Sequence, residues 1–186
     1  MRQRPDSKRP QRPPPRPIDA ARLGEMALAY VARFATSAAK LDAYLRRKLR
    51  ERGWEGEGDP PVKATVERMV ELGYIDDEVY ARSKTGSLLR RGFGARRISQ
   101  DLNSAGIAEE VRESVRAGVD EQRRAALAFA SKRHIGPFGP PAPDRAAREK
   151  QMGAMLRAGH PLDSARELVN AASVEAAEQW ASEGDY

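Results

Sequence analysis

The side chains that most often carry chemistry are scarce in this chain of 186 residues, which has two histidines, His134 and His160, and no cysteine. Without thiols there is neither a disulfide frame nor a Cys-based zinc site. Each histidine falls at the end of a helical segment, where the dipole favours it, and neither belongs to an HExxH-type ligand pair. The glycines of Gly92-Phe-Gly94 and Gly56-Glu-Gly58 match no P-loop or dinucleotide fingerprint. Gly-Phe-Gly between two helices reads more simply as a tight turn. Carboxylates are plentiful but stand beside Lys or Arg along helix surfaces, and no pair is marked as acid and base. These residues point to a non-catalytic protein that needs no cofactor or metal.

The cations are better organised. From Arg82 to Arg97 the chain holds Arg82, Lys84, Arg90, Arg91, Arg96 and Arg97, with Phe93 among them and no acid. Arg90 and Arg91 close one helix, where positive charge is favoured, but Arg96 and Arg97 open the next, where it is not. A local rule broken in this way marks candidate binding residues. The competing reading is a solvated face neutralised from elsewhere. A second stretch, Lys40, Arg46, Arg47, Lys48, Arg50 and Arg52 against Asp42 and Glu51, leads into Trp54. Trp54 is expected to pack across a junction between units, because aromatics mostly serve burial. The candidate binding set is therefore Arg82, Lys84, Arg90, Arg91, Arg96 and Arg97, joined by Arg46, Arg47 and Arg50.

The net charge is +6, and residues 1–18 supply +5 of it through six basic residues and Asp6. The remaining body is nearly neutral, so any basic face on it is local. Met1 to Pro17 is rich in Arg, Pro and Gln and reads as disordered. No apolar run approaches the ~18 residues of a membrane helix, and the basic N-terminus lacks the apolar core of a secretory signal. A soluble cytoplasmic protein is expected.

The elements that must position the cations are helical. Asp19 can cap a helix with Leu23, Met26, Ala27, Tyr30, Val31 and Phe34 on its apolar steps. Ser37 caps a second, with Leu41, Leu45 and Leu49 in line and Gly53 as its stop. After a Gly/Pro/acid loop a third runs from Val62 to Gly73. The order then restarts at Asp76 or Asp77 and again near Leu127, with an interruption from Gly136 to Pro143. Gly53, Gly106 and Gly159 recur at an interval of 53 residues, each four residues after an apolar side chain. Fixed-period self-similarity marks a repeat architecture, and units this small must pack on their neighbours. The expectation is an all-α fold of three tandem three-helix, helix-turn-helix-like repeats in an elongated array. Its parts are a disordered basic tail (1–18), repeats over 19–73, 74–119 and 120–173, and an acidic C-terminal tail (174–186).

Leu72-Gly-Tyr-Ile-Asp-Asp-Glu-Val-Tyr-Ala81, Arg90-Arg-Gly-Phe-Gly-Ala-Arg-Arg-Ile98, Asp101-Leu102 and Gly106-Ile107, in this order and spacing, resemble the RecX family. Leu45-Arg-Arg-Lys-Leu-Arg-Glu-Arg-Gly-Trp54 extends the resemblance into the first repeat. It spans roughly residues 20–172 and is weakest in the third repeat. The sequence departs from the family pattern at Lys40, where an acid often completes the capping box begun by Ser37. A second departure is His160-Pro161, where an aromatic usually follows the stop glycine.

The resemblance implies three tandem three-helix units and a partner, the RecA recombinase filament on single-stranded DNA. It implies modulation of that filament, most often inhibition of its extension, ATPase and strand exchange. Tyr74, Ile75, Tyr80, Ile98 and Leu102 are expected in the core. The alternative is a sequence-tolerant DNA-binding repeat protein acting without the recombinase, and weak direct contact with DNA stays open beside the first reading. A monomer is the simplest state for such an array.

Overall fold

The computed structural model describes residues 16–142 and 144–183. Most of the proline-rich tail, together with Pro143 and the last three residues, lies outside them. The described residues form ten α-helices with one short 3-10 turn at Gly136–Phe138. The first unit comprises α1 (Ala20–Arg33), α2 (Ala38–Arg52) and α3 (Val62–Glu71). The second comprises α4 (Asp77–Arg90), α5 (Ala95–Ser104) and α6 (Glu109–Ser114). The third comprises α7 (Val119–Lys132), α8 (Arg145–Arg157) and α9 (Leu162–Asn170), and α10 (Val174–Ser182) follows it.

Local chemistry explains the helix starts. The side chains of Asp19, Ser37, Asp76, Asp144 and Ser173 each accept the N–H three residues on, satisfying an otherwise orphaned donor. The stops are equally direct. Gly73 and Gly106 adopt positive φ, and each sits in a reversal where the next residue donates back five positions.

Each unit has its own small core. Leu23, Leu41, Leu45, Val66 and Met69 meet in the first, and Ala81, Leu88, Ile98, Leu102 and Ile107 in the second. Phe129, Ile135, Met155, Ala165 and Leu168 meet in the third. Phe93, from the Gly-Phe-Gly turn, packs against both the second and third cores.

The second helices of the three units meet tip to tip. The hydroxyl of Ser37, at the start of α2, donates to the Ala105 carbonyl at the end of α5 over 2.6 Å. At the next joint the Gly94 N–H, at the start of α5, donates to the Ala158 carbonyl at the end of α8 over 2.9 Å. The recurring stop glycines are where these joints form. A methyl on Gly106 would overlap the Ala39 methyl, and one on Gly159 would lie 2.5 Å from the Arg97 nitrogen. At the third stop, Gly53, no other unit among the described residues meets the glycine. Ile18 takes that place: its N–H donates to the Gly53 carbonyl, its carbonyl accepts from Glu55, and its side chain is fully buried.

Four expectations change. Ile18, expected within the disordered tail of residues 1–18, is buried in the first core. The segment from residue 174, expected as an acidic tail, carries α10, which packs on α7 and α9 with Ala177 and Ala181 buried. Its small apolar face, Ala177, Trp180 and Ala181, is masked in the sequence by the acids around it. It covers the sides of α7 and α9 that would otherwise face water. Trp54 does not cross a junction. It packs into the first core, and its indole N–H donates to the Gly58 carbonyl, fastening the acid-rich loop. Tyr74 lies outside the core at 54% exposure, because it follows the Gly73 reversal and points away while Ile75 turns inward.

Candidate functional site

The predicted cations occupy three different settings. Arg82, Arg97 and Lys84 are exposed or half-buried, but carboxylates just outside the acid-free run reach them. Glu78 pairs with Arg82 at 2.6 Å, one turn back on α4. Asp101 of α5 lies between Arg97, at 3.3 Å, and Lys84, at 3.8 Å. On α2, Arg46 pairs with Asp42 at 2.7 Å, while Arg47 and Lys48 share Glu51. The Lys48 hydrogen bond holds the Glu51 carboxyl below its ordinary value, and Asp42 raises the Arg46 guanidinium. These pairs lie at the surface, where ion pairs are weak, so a stronger anion can displace them.

Arg96 has a structural task. Its guanidinium donates to the Leu156 carbonyl and its N–H to the Gly159 carbonyl at 3.3 Å, both at the end of α8. A cation at the start of α5 reads as unfavourable when the helix is considered alone. In the fold, the carbonyl end of α8 stands opposite that start, so positive charge there is attracted. The feature that marks Arg96 and Arg97 in the sequence is thus accounted for by the joint between units.

Arg90, Arg91 and Arg50 remain. All three are exposed, and among the described residues no carboxylate pairs with them. Arg91 lies over the Phe93 ring, 5.1 Å from its centre, so one of its faces is held while its outer donors face water. The Arg90 carbonyl accepts from Lys132 Nζ of α7 at 3.0 Å, fixing the end of α4 to the third unit. The two arginines therefore project from a braced corner.

The first unit carries an arrangement that charge counting does not reveal. Tyr30 and Tyr44 stack at 4.3 Å, and Phe34 leans on Tyr30 at 5.2 Å. Arg33 caps the Phe34 ring and Arg47 the Tyr44 ring, each at 5.7 Å. The helical spacing of Tyr30 and Phe34 was legible, but their meeting with Tyr44 is tertiary. Lys40 also departs from the expected capping box with a consequence. Its ammonium donates to the Tyr80 hydroxyl at 2.7 Å, crossing from α2 to α4.

His160, expected as an ordinary helix-end residue, is instead buried at the joint between the second and third units. Its ring lies 5.7 Å from that of Phe129, and its Nε2 donates to the Gly92 carbonyl at 3.0 Å. Burial lowers its pKa from 6.5, opposed by the Gly92 hydrogen bond.

Comparison with known proteins places this geometry among relatives. Residues 76–115 match the family model described as the second three-helix domain of RecX. The regulatory protein RecX of Myxococcus xanthus is 31% identical over 176 residues, covering 89% of this chain and 94% of that protein. The regulatory protein RecX of Agrobacterium fabrum is 32% identical over 138 residues, covering 71% of this chain and 73% of its own. In fold, the chain is similar to the crystal structure of RecX from Lactobacillus salivarius, with a TM-score of 0.61 and 17% identity. That likeness covers 81% of this chain and 94% of the other.

Proposed function

The chain belongs to the RecX family, and on that footing we propose that it regulates the RecA recombinase, lying on its filament on single-stranded DNA. It inhibits filament extension, ATP hydrolysis and strand exchange, acting in the cytoplasm as a monomer with no catalytic role of its own. The observation that carries the choice of surface is the Arg90–Arg91 corner. It is exposed and free of carboxylate partners among the described residues, and it falls within the matched 76–115 segment. Arg50 of α2 adds a further unpaired cation, while Arg82, Lys84, Arg97, Arg46 and Arg47 join by exchanging weak surface pairs. Arg96 belongs to the same stretch, yet it is held by the third unit.

The test is ATP hydrolysis by recombinase filaments on single-stranded DNA. Wild-type protein lowers the rate. The variant Arg90→Ala/Arg91→Ala should need about ten-fold more protein for the same effect, about 1.4 kcal/mol, with its unfolding midpoint unchanged. Full inhibition by that variant would remove the corner from the assignment.

A second reading, sequence-tolerant DNA binding without the recombinase, is favoured by the rings and arginines on the first unit. Stacked aromatics beside cations suit unpaired bases and their phosphates. It predicts co-sedimentation with single-stranded DNA alone, with log affinity falling by about 0.7 per contacted phosphate for each decade of salt. Binding only when recombinase and nucleotide are present rejects it.

A further inference from the structure

A cavity of about 310 Å3 opens in the second unit, between α4, α5, α6 and the residues that follow α6. Its apolar wall is made by Ile98, Leu102 and Val115. Most of its polar side chains can donate. Arg96, Arg112 and Arg116 supply guanidinium groups, Ser99 and Thr85 supply hydroxyls, and Glu113 is the one carboxylate. Glu113 is already engaged with Arg116, at 3.4 Å.

Two of these donors are stranded. Thr85 is only 6% exposed, and its hydroxyl has no hydrogen-bond partner. Arg112 Nε is likewise buried and unpartnered. A buried polar group left unpaired is costly, and more so when it is charged. Two such groups on residues that line one cavity of ligand size, with Arg96 held by Leu156 and Arg116 shared with Glu113, leave Arg112 and Thr85 as the pair that an acceptor would satisfy.

We infer that this cavity receives a carboxylate carried on an apolar stem, from an acidic side chain in a partner protein's segment. The carboxylate accepts from Arg112 Nε and the Thr85 hydroxyl while its stem lies along Ile98, Leu102 and Val115. Carboxylate and guanidinium match in planar geometry, which favours the pairing. A nucleic-acid backbone fits less well. It is polar throughout, leaving the apolar wall unfilled, and it repeats its charge along a track, whereas this is one recess with Glu113 among its lining residues. The cavity lies within the second unit alone, and its chemistry is the same whether or not the recombinase is the partner.

The experiment uses the 15N-labelled full chain and three probes: acetyl-Leu-Glu-Leu-amide, acetyl-Leu-Gln-Leu-amide and a six-residue oligo-dT. The Glu peptide should shift the Thr85 amide and the Arg112 Nε resonance in a saturable way. The Gln peptide should require at least ten-fold more. Thr85→Val, which keeps the side-chain shape, and Arg112→Gln should each weaken the Glu peptide several-fold. Equal response to the Gln peptide, or an unchanged response in Thr85→Val, overturns the inference. Oligo-dT moving the same two resonances at lower concentration also overturns it and makes the site one for phosphate.

Discussion

The tip-to-tip joint between the first two units makes a quantitative prediction because the molecule contains its own control. Gly73 and Gly106 have φ of 73° and 72°, and both sit in the same helix-ending reversal. A methyl group on Gly73 would meet nothing within 4 Å, whereas one on Gly106 would overlap Ala39. Both Gly→Ala changes cost about 1–2 kcal/mol for the left-handed backbone. Gly106→Ala adds about 1–3 kcal/mol for overpacking a close contact. Effects of glycine on the unfolded chain enter both variants alike and cancel in the difference.

The decisive variant is Ala39→Gly, which removes the opposing methyl. Combined with Gly106→Ala it should return about 1–3 kcal/mol, a coupling that two independent sites would not show. Urea unfolding followed by circular dichroism at 222 nm gives the three differences, with the slope checked so that a change in cooperativity is not read as stability. Equal losses for Gly73→Ala and Gly106→Ala, or strict additivity with Ala39→Gly, would refute the joint as described.

Three further outcomes follow from neighbouring contacts. Ser37 is fully buried, donating to the Ala105 carbonyl and accepting from the Lys40 N–H, so Ser37→Ala should cost about 1–3 kcal/mol. The exposed cap Ser173→Ala should cost about 1 kcal/mol, and urea midpoints compare the two. Because burial lowers the His160 pKa, the unfolded chain takes up the proton first, so stability holds above pH 6.5 and falls as pH drops through 6.5 toward the folded pKa. Midpoints at pH 7.5, 6.5 and 5.5 should show that loss, and His160→Gln should flatten it. Arg96→Ala should lower the unfolding midpoint by removing the bond to Leu156, whereas Arg90→Ala should leave it within about 0.5 kcal/mol.

The helix pattern was largely legible because it rests on local chemistry. Asp19, Ser37 and Asp76 cap where side-chain oxygens can reach the next turn, and Gly53, Gly106 and Gly159 stop helices whose apolar stripes end there. The role of those glycines at the joints was not legible. Their spacing signals a repeat, but only the fold brings Ala39, Ile18 and Gly94 against them. The cation cluster was visible as composition, yet its division into paired, braced and free members was not. Glu78 and Asp101 lie one turn outside the run, and the Leu156 carbonyl is sixty residues from Arg96. Helix α10 escaped because Ala177 and Ala181 are weak apolar markers among acids, and α7 supplies the surface that makes them a core.

The two joints of the array are unlike, and the difference sets where the molecule gives way. Between the second and third units, Phe93 belongs to both cores, His160 is sealed in, and α4 lies along α7. Between the first and second, the cores share no apolar residue. The contacts named there are the Ser37–Ala105, Ala38–Asp77 and Lys40–Tyr80 hydrogen bonds and the Gly106–Ala39 touch. Hydrogen bonds open to water at far less cost than apolar surface does, so local opening should begin at the narrow polar joint. Amide hydrogen exchange at Ala38 should then report a pivot of one unit against a rigid pair, rather than even flexing along the whole row.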